Sequence, residues 1–331
     1  MGSKHRLLPW IHEILWGLKF DSALDAFSGS GCVAYLLKAM GKKVMANDFL
    51  SFASIIAEAA VANSDQRLSS EHIEILTADK VSRDRFIEKT FSGIFFESGD
   101  LRFLDNVWAN LPALPSGRLR ALALAALIRS CLKRQPRGVF TVADPERYKD
   151  GRRDLTLTLE EHFVESVKAF NRAVFDSGRP CRATRRDIFE IEPLGYDLVY
   201  MDPPYVPRAD DNCYIKRYHF LEGLATYWKA EDAEILETSK VKKIKKRFTP
   251  FSYRRTALAA FDRMFSRFGS SILVLSYSSN GYPDLETLVS LMRRYKSSVR
   301  VFETDHRYHF GTHRNVSPDR AAVREYLIVG V

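Results

Sequence analysis

Apolar positions along the chain change their spacing twice. Ser22–Phe27 is a short apolar run ended by Ser28-Gly29-Ser30-Gly31, which predicts a buried strand and a tight turn. Cys32–Met40 then predicts a helix, and Lys43–Ala46 a second strand ending at Asn47-Asp48. From Ser51 the spacing becomes helical. Helices are expected over Ser51–Asn63, Ser82–Phe91, Leu119–Lys133 and Leu159–Phe175, the last capped by Thr158 with Glu161 three residues on. Pro136-Arg137-Gly138 and Asp150-Gly151 mark loops between them. Strand spacing returns over Ala183–Phe189, Tyr196–Met201, Ser271–Tyr277, Ser298–Thr304 and Arg324–Val331. The pattern predicts an α/β core, 1–50 and 179–331, split by a mainly helical insert, 51–178.

The apolar strand at Tyr196–Met201 runs directly into Asp202-Pro203-Pro204-Tyr205. One loop therefore carries a carboxylate, a stiff backbone and an aromatic ring. The prolines have no N–H to donate, which leaves the carbonyl of Pro203 to act as an acceptor. Two acceptors and a ring suit an exocyclic amine on a planar base. Asp-Pro and Pro-Pro also initiate plain strand-ending turns, so the tetrapeptide alone leaves both readings open.

The glycine turn favours the first. Strand, Gly29-Ser30-Gly31 and helix open a doubly wound α/β domain, with a ligand expected at the carboxyl end of the strand. The turn lacks the third glycine of a dinucleotide fingerprint, while Asp48 stands where a ribose-binding acid is expected at the end of the second strand. Together they fit a cofactor that contains a nucleoside and carries no pyrophosphate.

On these motifs the chain resembles the class alpha, Dam-type adenine-N6 DNA methyltransferases, which use S-adenosylmethionine. Gly2-Ser3-Lys4 with Leu7-Leu8-Pro9-Trp10-Ile11 resembles the family's first cofactor motif, and Asp25-Ala26-Phe27-Ser28-Gly29-Ser30-Gly31 its second. Arg186-Asp187-Ile188-Phe189 resembles the element facing the cofactor adenine, and Asp202-Pro203-Pro204-Tyr205 the catalytic tetrapeptide. The resemblance spans residues 2–50 and 180–331, and the chain departs from it at Ser3, where glycine is usual, and at Ala26, often proline. It implies a Rossmann-like methyltransferase core with a mixed, mostly parallel sheet, and assigns target recognition to the insert. Cofactor contacts are implied for Lys4, Asp25, Phe27, Gly29, Gly31, Asp48, Asp187, Ile188 and Asp202. Asp202 and the carbonyl of Pro203 would hold the two amine hydrogens, with Pro204 stiffening the loop and Tyr205 stacking on the base. The base must leave the duplex to be reached.

Composition changes this picture little. The 331 residues are 46% hydrophobic and 27% charged, with a formal net charge of +9 that suits a polyanionic partner. Four scattered cysteines give no disulfide frame and suggest a reducing, cytoplasmic setting. Leu119–Leu132, the longest apolar helix, is cut by Arg120 and Arg129 and is too short to span a membrane. No signal peptide is read from residues 1–20.

Charge does single out one segment. Lys240, Lys242, Lys243, Lys245, Lys246, Arg247, Arg254 and Arg255 interleave with Phe248, Phe251 and Tyr253 in an expected loop beside the active site. That mixture suits phosphates with ring contacts to sugars or an unstacked base; a solvated loop is the plainer alternative. Arg152 and Arg153, after Lys149, form a second candidate at a loop tip. His306, His309 and His313 lack cysteine neighbours and converging spacing, so no metal is expected.

The expected partners are double-stranded DNA and, within a restriction–modification system, a cognate endonuclease. Three rivals stand beside adenine methylation of DNA. Cytosine-N4 methylation more often carries serine where Asp202 stands; the others are adenine methylation of RNA and a non-catalytic binding scaffold.

Overall fold

The computed structural model describes residues 4–79, 84–136, 138–142, 151–206, 213–307 and 322–331. Its strands are β1 (Ser22–Asp25), β2 (Lys43–Asp48), β3 (Cys181–Arg185), β4 (Leu198–Met201), β5 (Ile272–Ser278), β6 (Val299–Arg307) and β7 (Ala322–Gly330). Its helices are α1 (Leu8–Trp16), α2 (Cys32–Ala39), α3 (Ser51–Ala57), α4 (Ser70–Thr77), α5 (Phe86–Phe91), α6 (Ser98–Asn110), α7 (Gly117–Arg134), α8 (Arg153–Thr156), α9 (Leu159–Ala173), α10 (Tyr214–Thr226), α11 (Arg254–Arg267) and α12 (Leu285–Met292). Contacts divide the chain into two units: Leu50–Asp176 with Tyr214–Arg247, and Gly2–Phe49 with Ser177–Cys213 and Phe248–Val331.

The second unit holds the whole sheet, in the order β3-β2-β1-β4-β5-β7-β6. β3, β2, β1, β4 and β5 run parallel, and β7 is antiparallel to both β5 and β6. This is the mixed, mostly parallel α/β sheet expected from the sequence. The strand order turns back on itself between β1 and β4, the place where open α/β sheets receive ligands outside the strand carboxyl ends. β4 is buried along its full length, as a central parallel strand must be. Val199, Met201, Leu273 and Leu275 pack with Phe261, Phe265 and Phe268 into the core of this unit.

β3 ends earlier than the apolar spacing suggests. In place of a strand to Phe189, the Asp187 side chain accepts from the amide of Phe189 at 2.9 Å and caps a 3-10 turn over Ile188–Glu190. A second difference lies in the basic segment, where a 3-10 turn at Pro250–Ser252 leads into an α-helix over Arg254–Arg267.

The first unit is helical. The predicted helix from Ser51 is α3 followed by a π-helical turn at Glu58–Ala62. Thr158 and Glu161 form the reciprocal capping box expected at the start of α9. α7, rich in alanine and leucine, is buried on most of its surface and packs with Phe52, Phe103 and Phe163. Residues 214–247 belong to this unit; α10 adds Phe220, Leu221 and Leu224 to its core.

Candidate active site

β1 ends in a turn that only glycine accommodates easily. Gly29 and Gly31 take φ values of 50° and 75°, the left-handed region, and Gly31 caps α2. The amide of Gly29 donates to the Asp48 carboxylate at 2.8 Å, so the turn is fastened to the end of β2. Asn47 fixes the neighbouring strand ends: its Nδ2 donates to the carbonyls of Ala26 and Arg186 at 3.2 and 3.1 Å, and its Oδ1 accepts from the amide of Arg186 at 3.1 Å.

Asp202 follows β4 across the switch point. Asp25 on β1 is in register with Tyr200 on β4, and the amide of Ala26 donates to the carbonyl of Tyr200 at 2.9 Å. The two aspartates thus emerge at the same end of adjacent strands. Asp25 is buried, and neither of its carboxyl oxygens has a well-formed hydrogen bond or a cation, the amides of Ala34 and Phe27 lying near without good geometry. Burial, then the charges of Asp202 and Asp48, push its pKa up to about 8, only partly opposed by the amides of Ala34 and Phe27. Ser28 Oγ and Ser278 Oγ, at the ends of β1 and β5, are also buried without partners. Unpaired buried polar atoms at one end of a sheet call for a polar ligand, and an unpaired buried carboxyl calls for a cationic one.

Among the described residues Lys4 supplies the cation of this group. Its Nζ lies 2.9 Å from Glu325 Oε2 on β7 and 3.4 Å from Asp202 Oδ1. Burial works to lower the pKa of Lys4, but Asp202 and Glu325 outweigh it and leave it well above its ordinary value. Asp202 is raised by burial, against which Lys4 acts, while Glu325 adds to the rise.

Aromatic rings flank both ends of this arrangement. Phe251 meets Phe27 edge-on at 5.4 Å and stacks on Phe189 at 5.9 Å, with the Arg263 guanidinium 4.0 Å above Phe189. Tyr205 meets Tyr277 edge-on at 5.3 Å. The hydroxyl of Tyr277 donates to the carbonyl of Tyr282 at 2.6 Å, and the amide of Tyr282 to the carbonyl of Val206 at 3.2 Å, strapping the loop after β5 to the tetrapeptide loop.

A glycine turn and an Asp-Pro-Pro-Tyr loop on either side of the switch point give the fold a family. Residues 1–275 match the model of the D12 class N6 adenine-specific DNA methyltransferases. The chain belongs to that family. It is 27% identical over 322 residues to the type II methyltransferase M2.HphI of Haemophilus parahaemolyticus, covering 93% of this chain and 90% of that protein. It is 22% identical to the modification methylase LlaI of Lactococcus lactis subsp. lactis over 99% of its own length, and 23% identical to StsI of Streptococcus sanguinis over 89%. In those two alignments it spans 54% and 46% of the relative, respectively. The chain is thus an N6-adenine DNA methyltransferase of the D12 class with the α/β fold of that family.

The D12 sheet unit brings together Lys4, Asp25, Gly29, Asp48 and Asp202, and separately Phe27 with the Ile188–Glu190 turn through Phe189 and Phe251. The expected nucleic-acid contacts divide. Lys240, Lys245, Lys246, Arg254 and Arg255 are exposed, and Lys242 and Lys243 half-buried. Arg254 lies over the ring of Tyr282 at 4.6 Å, and the exposed Phe248 stacks on Tyr253 at 5.5 Å. Arg247 is different: it is ion-paired with the buried Glu222 and with Asp232 at 2.5 Å. Arg153 is paired with Glu165, and Arg152 donates to the carbonyl of Pro136 at 3.3 Å. Glu325 escaped the sequence reading. Its signal is a lone acid on an inward face of β7, in step with the buried Leu327 and Val329.

Gly2, Ser3, Lys149, Tyr308, His309, Phe310 and His313 lie outside the described residues. Among the described residues no group of three or more His, Cys, Asp or Glu side chains is placed to hold a metal ion, and no helix is long and apolar enough to cross a membrane.

Proposed function

We propose that the chain methylates adenine N6 in duplex DNA with S-adenosylmethionine, acting as the modification enzyme of a restriction–modification system. The observation that carries the reading is the position of Asp202, at the end of β4 and across the switch point from the glycine turn. A cationic cofactor suits this end of the sheet: Asp25 offers an unpaired buried carboxyl, Asp48 a carboxylate beside the turn, and Phe27, Phe189 and Phe251 a wall for a flat base. S-adenosylmethionine brings a methyl group on a sulfonium, activated for displacement.

The residues do the rest. Adenine N6 is a weak nucleophile because its lone pair is delocalised into the ring. Hydrogen bonds from its two N–H groups to Asp202 and to the carbonyl of Pro203 localise that pair toward the methyl, and Tyr205 packs against the base. Positioning of this kind supplies much of the acceleration. Asp202 takes up the proton released after transfer, or passes it to water. Extruding the base costs a few kcal/mol, which contacts to phosphates offset. Those contacts fall to Lys240, Lys242, Lys243, Lys245, Lys246, Arg254 and Arg255. The helical segment 51–178 reads the target sequence. Work on DNA supports a cytoplasmic setting, and a cognate endonuclease is the partner this reading expects; the curated relatives are themselves named as type II and modification methylases.

The test is transfer from labelled S-adenosylmethionine to unmethylated genomic DNA and, in parallel, to total RNA, with product nucleosides identified by mass spectrometry. The expected product is N6-methyladenine in DNA, lost in Asp202→Ala. Label confined to RNA, or found on cytosine, overturns the reading.

A further inference from the structure

Lys4 stands between two carboxylates and is nearer to the one that sequence reasoning passed over. Its ammonium is 2.9 Å from Glu325 and 3.4 Å from Asp202, and Glu325 is fully buried. A buried carboxylate on a strand two places from β4 has a large desolvation cost, and its ion pair with Lys4 offsets it. An apolar residue of similar size would fill the same space without that cost. The placement of Glu325 thus points to something other than stability.

We propose that Glu325 is a positioning residue for methyl transfer: it draws the Lys4 ammonium toward β7 and so keeps the Asp202 carboxylate open to the target amine. This rests on Asp202 being the acceptor of that amine.

Lys4 and the target amine compete for Asp202. Asp202 must accept a hydrogen from the adenine N6, and an ammonium beside it is a stronger donor for the same oxygens. Lys4 alone would settle on Asp202. Glu325 holds the opposite side of Lys4 and shares its charge. The groups facing Asp202 are Lys4 from the turn ahead of α1, Asp25 from β1, Tyr200 from β4 and Glu325 from β7; Tyr205 follows in its own loop and also faces Lys4. Among the described residues Lys4 is the one cation of this set, so the position of its ammonium bears directly on how basic Asp202 is.

Glu325→Gln keeps the shape and removes the charge. Two effects on Asp202 then have the same sign. The repulsion that added to the rise from burial is gone, and more of the Lys4 charge falls to it. The acid limb of the methylation rate therefore moves to lower pH, while the plateau falls because Lys4 occupies the acceptor. Glu325→Asp retains the charge one methylene further back and shows the same changes in smaller measure.

The experiment is single-turnover methylation of duplex DNA by the full chain as wild type, Glu325→Gln and Glu325→Asp, from about pH 5 to about pH 9. Calorimetric binding of S-adenosylmethionine reports that each variant is folded. Expected are cofactor affinities within about twofold of wild type, a plateau at least about tenfold lower in Glu325→Gln, and an acid limb displaced downward. An unchanged plateau and limb in Glu325→Gln overturns the inference, and so does a lower plateau with an unmoved limb, which is the mark of a packing role. Should Glu325→Gln fail to bind cofactor, Glu325→Asp decides: a lowered limb supports the proposal, and a profile identical to wild type defeats it. Failure of the wild type to form N6-methyladenine in DNA would instead sink the role of Asp202 itself.

Discussion

Gly281 lies against the Cβ of Tyr205 so closely that a side chain at Gly281 would begin 3.1 Å from it, and 2.8 Å from the ring of Tyr277. Both contacts are tighter than a methyl group tolerates without movement. Tyr277 is anchored through its hydroxyl to Tyr282, so the Gly281 backbone must draw back from the ring, and the tetrapeptide loop, bonded to the same segment through Val206 and Tyr282, is displaced with it. Gly281→Ala is expected to lower kcat roughly ten- to hundredfold, the effect of a displacement of about 1 Å at a reacting centre. Cofactor affinity should stay near wild type. Equal losses in binding and turnover would mean that the loop after β5 supports the whole site and not Tyr205 in particular.

Asp25 gives the protein a pH dependence that its ligand should erase. Its pKa of about 8 exceeds the ordinary carboxyl value of 3.8, so the folded state holds a proton that the unfolded state releases. Stability from this group is complete below about pH 4 and is lost as pH rises through about 8, by at most about 1.4 kcal/mol per pH unit. Asp25→Asn should flatten that part of a melting-temperature profile and abolish cofactor binding. In the wild type at neutral pH, a cation arriving at Asp25 expels the proton. Calorimetry in buffers of different ionisation enthalpy should detect its release, and an uptake of protons would contradict this account.

Arg247 and its neighbours Lys245 and Lys246 should fail in different assays. Glu222, 1% exposed, accepts from the amide of Ser51 at 3.0 Å, from its hydroxyl at 2.9 Å and from the amide of Phe52 at 3.3 Å, so it caps α3 and depends on Arg247 for charge balance. Arg247→Ala strands that charge and should destabilise the helical unit by about 3 kcal/mol, seen in thermal melting. Lys245→Ala and Lys246→Ala, at exposed side chains, should shift melting far less than Arg247→Ala. Each should reduce the slope of log affinity for DNA against log salt by about 0.9. A normal melting temperature for Arg247→Ala would return it to the phosphate-binding set.

A closer look at the turn after α10 yields a stability test. The ideal Cβ position on Gly223 lies 2.1 Å from the indole of Trp228, which itself sits at a φ of 53° after Tyr227 at 52°. Gly223→Ala should cost about 3 kcal/mol or more, because the ring is hemmed in by Phe86, Phe91 and Phe220 and has nowhere to move. Circular dichroism on heating checks it.

Much of the site was legible because its parts are local in the chain. A strand that ends in Asp202-Pro203-Pro204-Tyr205, or in a glycine pair, carries its chemistry beside the pattern that predicts it. The early end of β3 was not legible, since it depends on the Asp187 side chain competing for a backbone amide. Glu325 was out of reach for another reason: it meets Lys4 across 321 residues. In Arg247 the limit is of a third kind. It is one cation in a run of cations, and only the folded chain shows that Glu222 and Asp232 have claimed it.

The acids at the end of the sheet have a consequence for turnover. Asp25 and Asp48 stand at this end of the sheet beside Asp202, and Lys4 is shared by Asp202 and Glu325, in a protein whose overall charge is +9. Such an interior works as an electrostatic sieve: it turns back a phosphate, tolerates an uncharged base and attracts a cation. With S-adenosylmethionine as the donor we propose, the spent cofactor would be a neutral thioether with no sulfonium for those acids to attract. On that reading the same acids that favour loading loosen their grip on the product, and the reaction itself discharges the site.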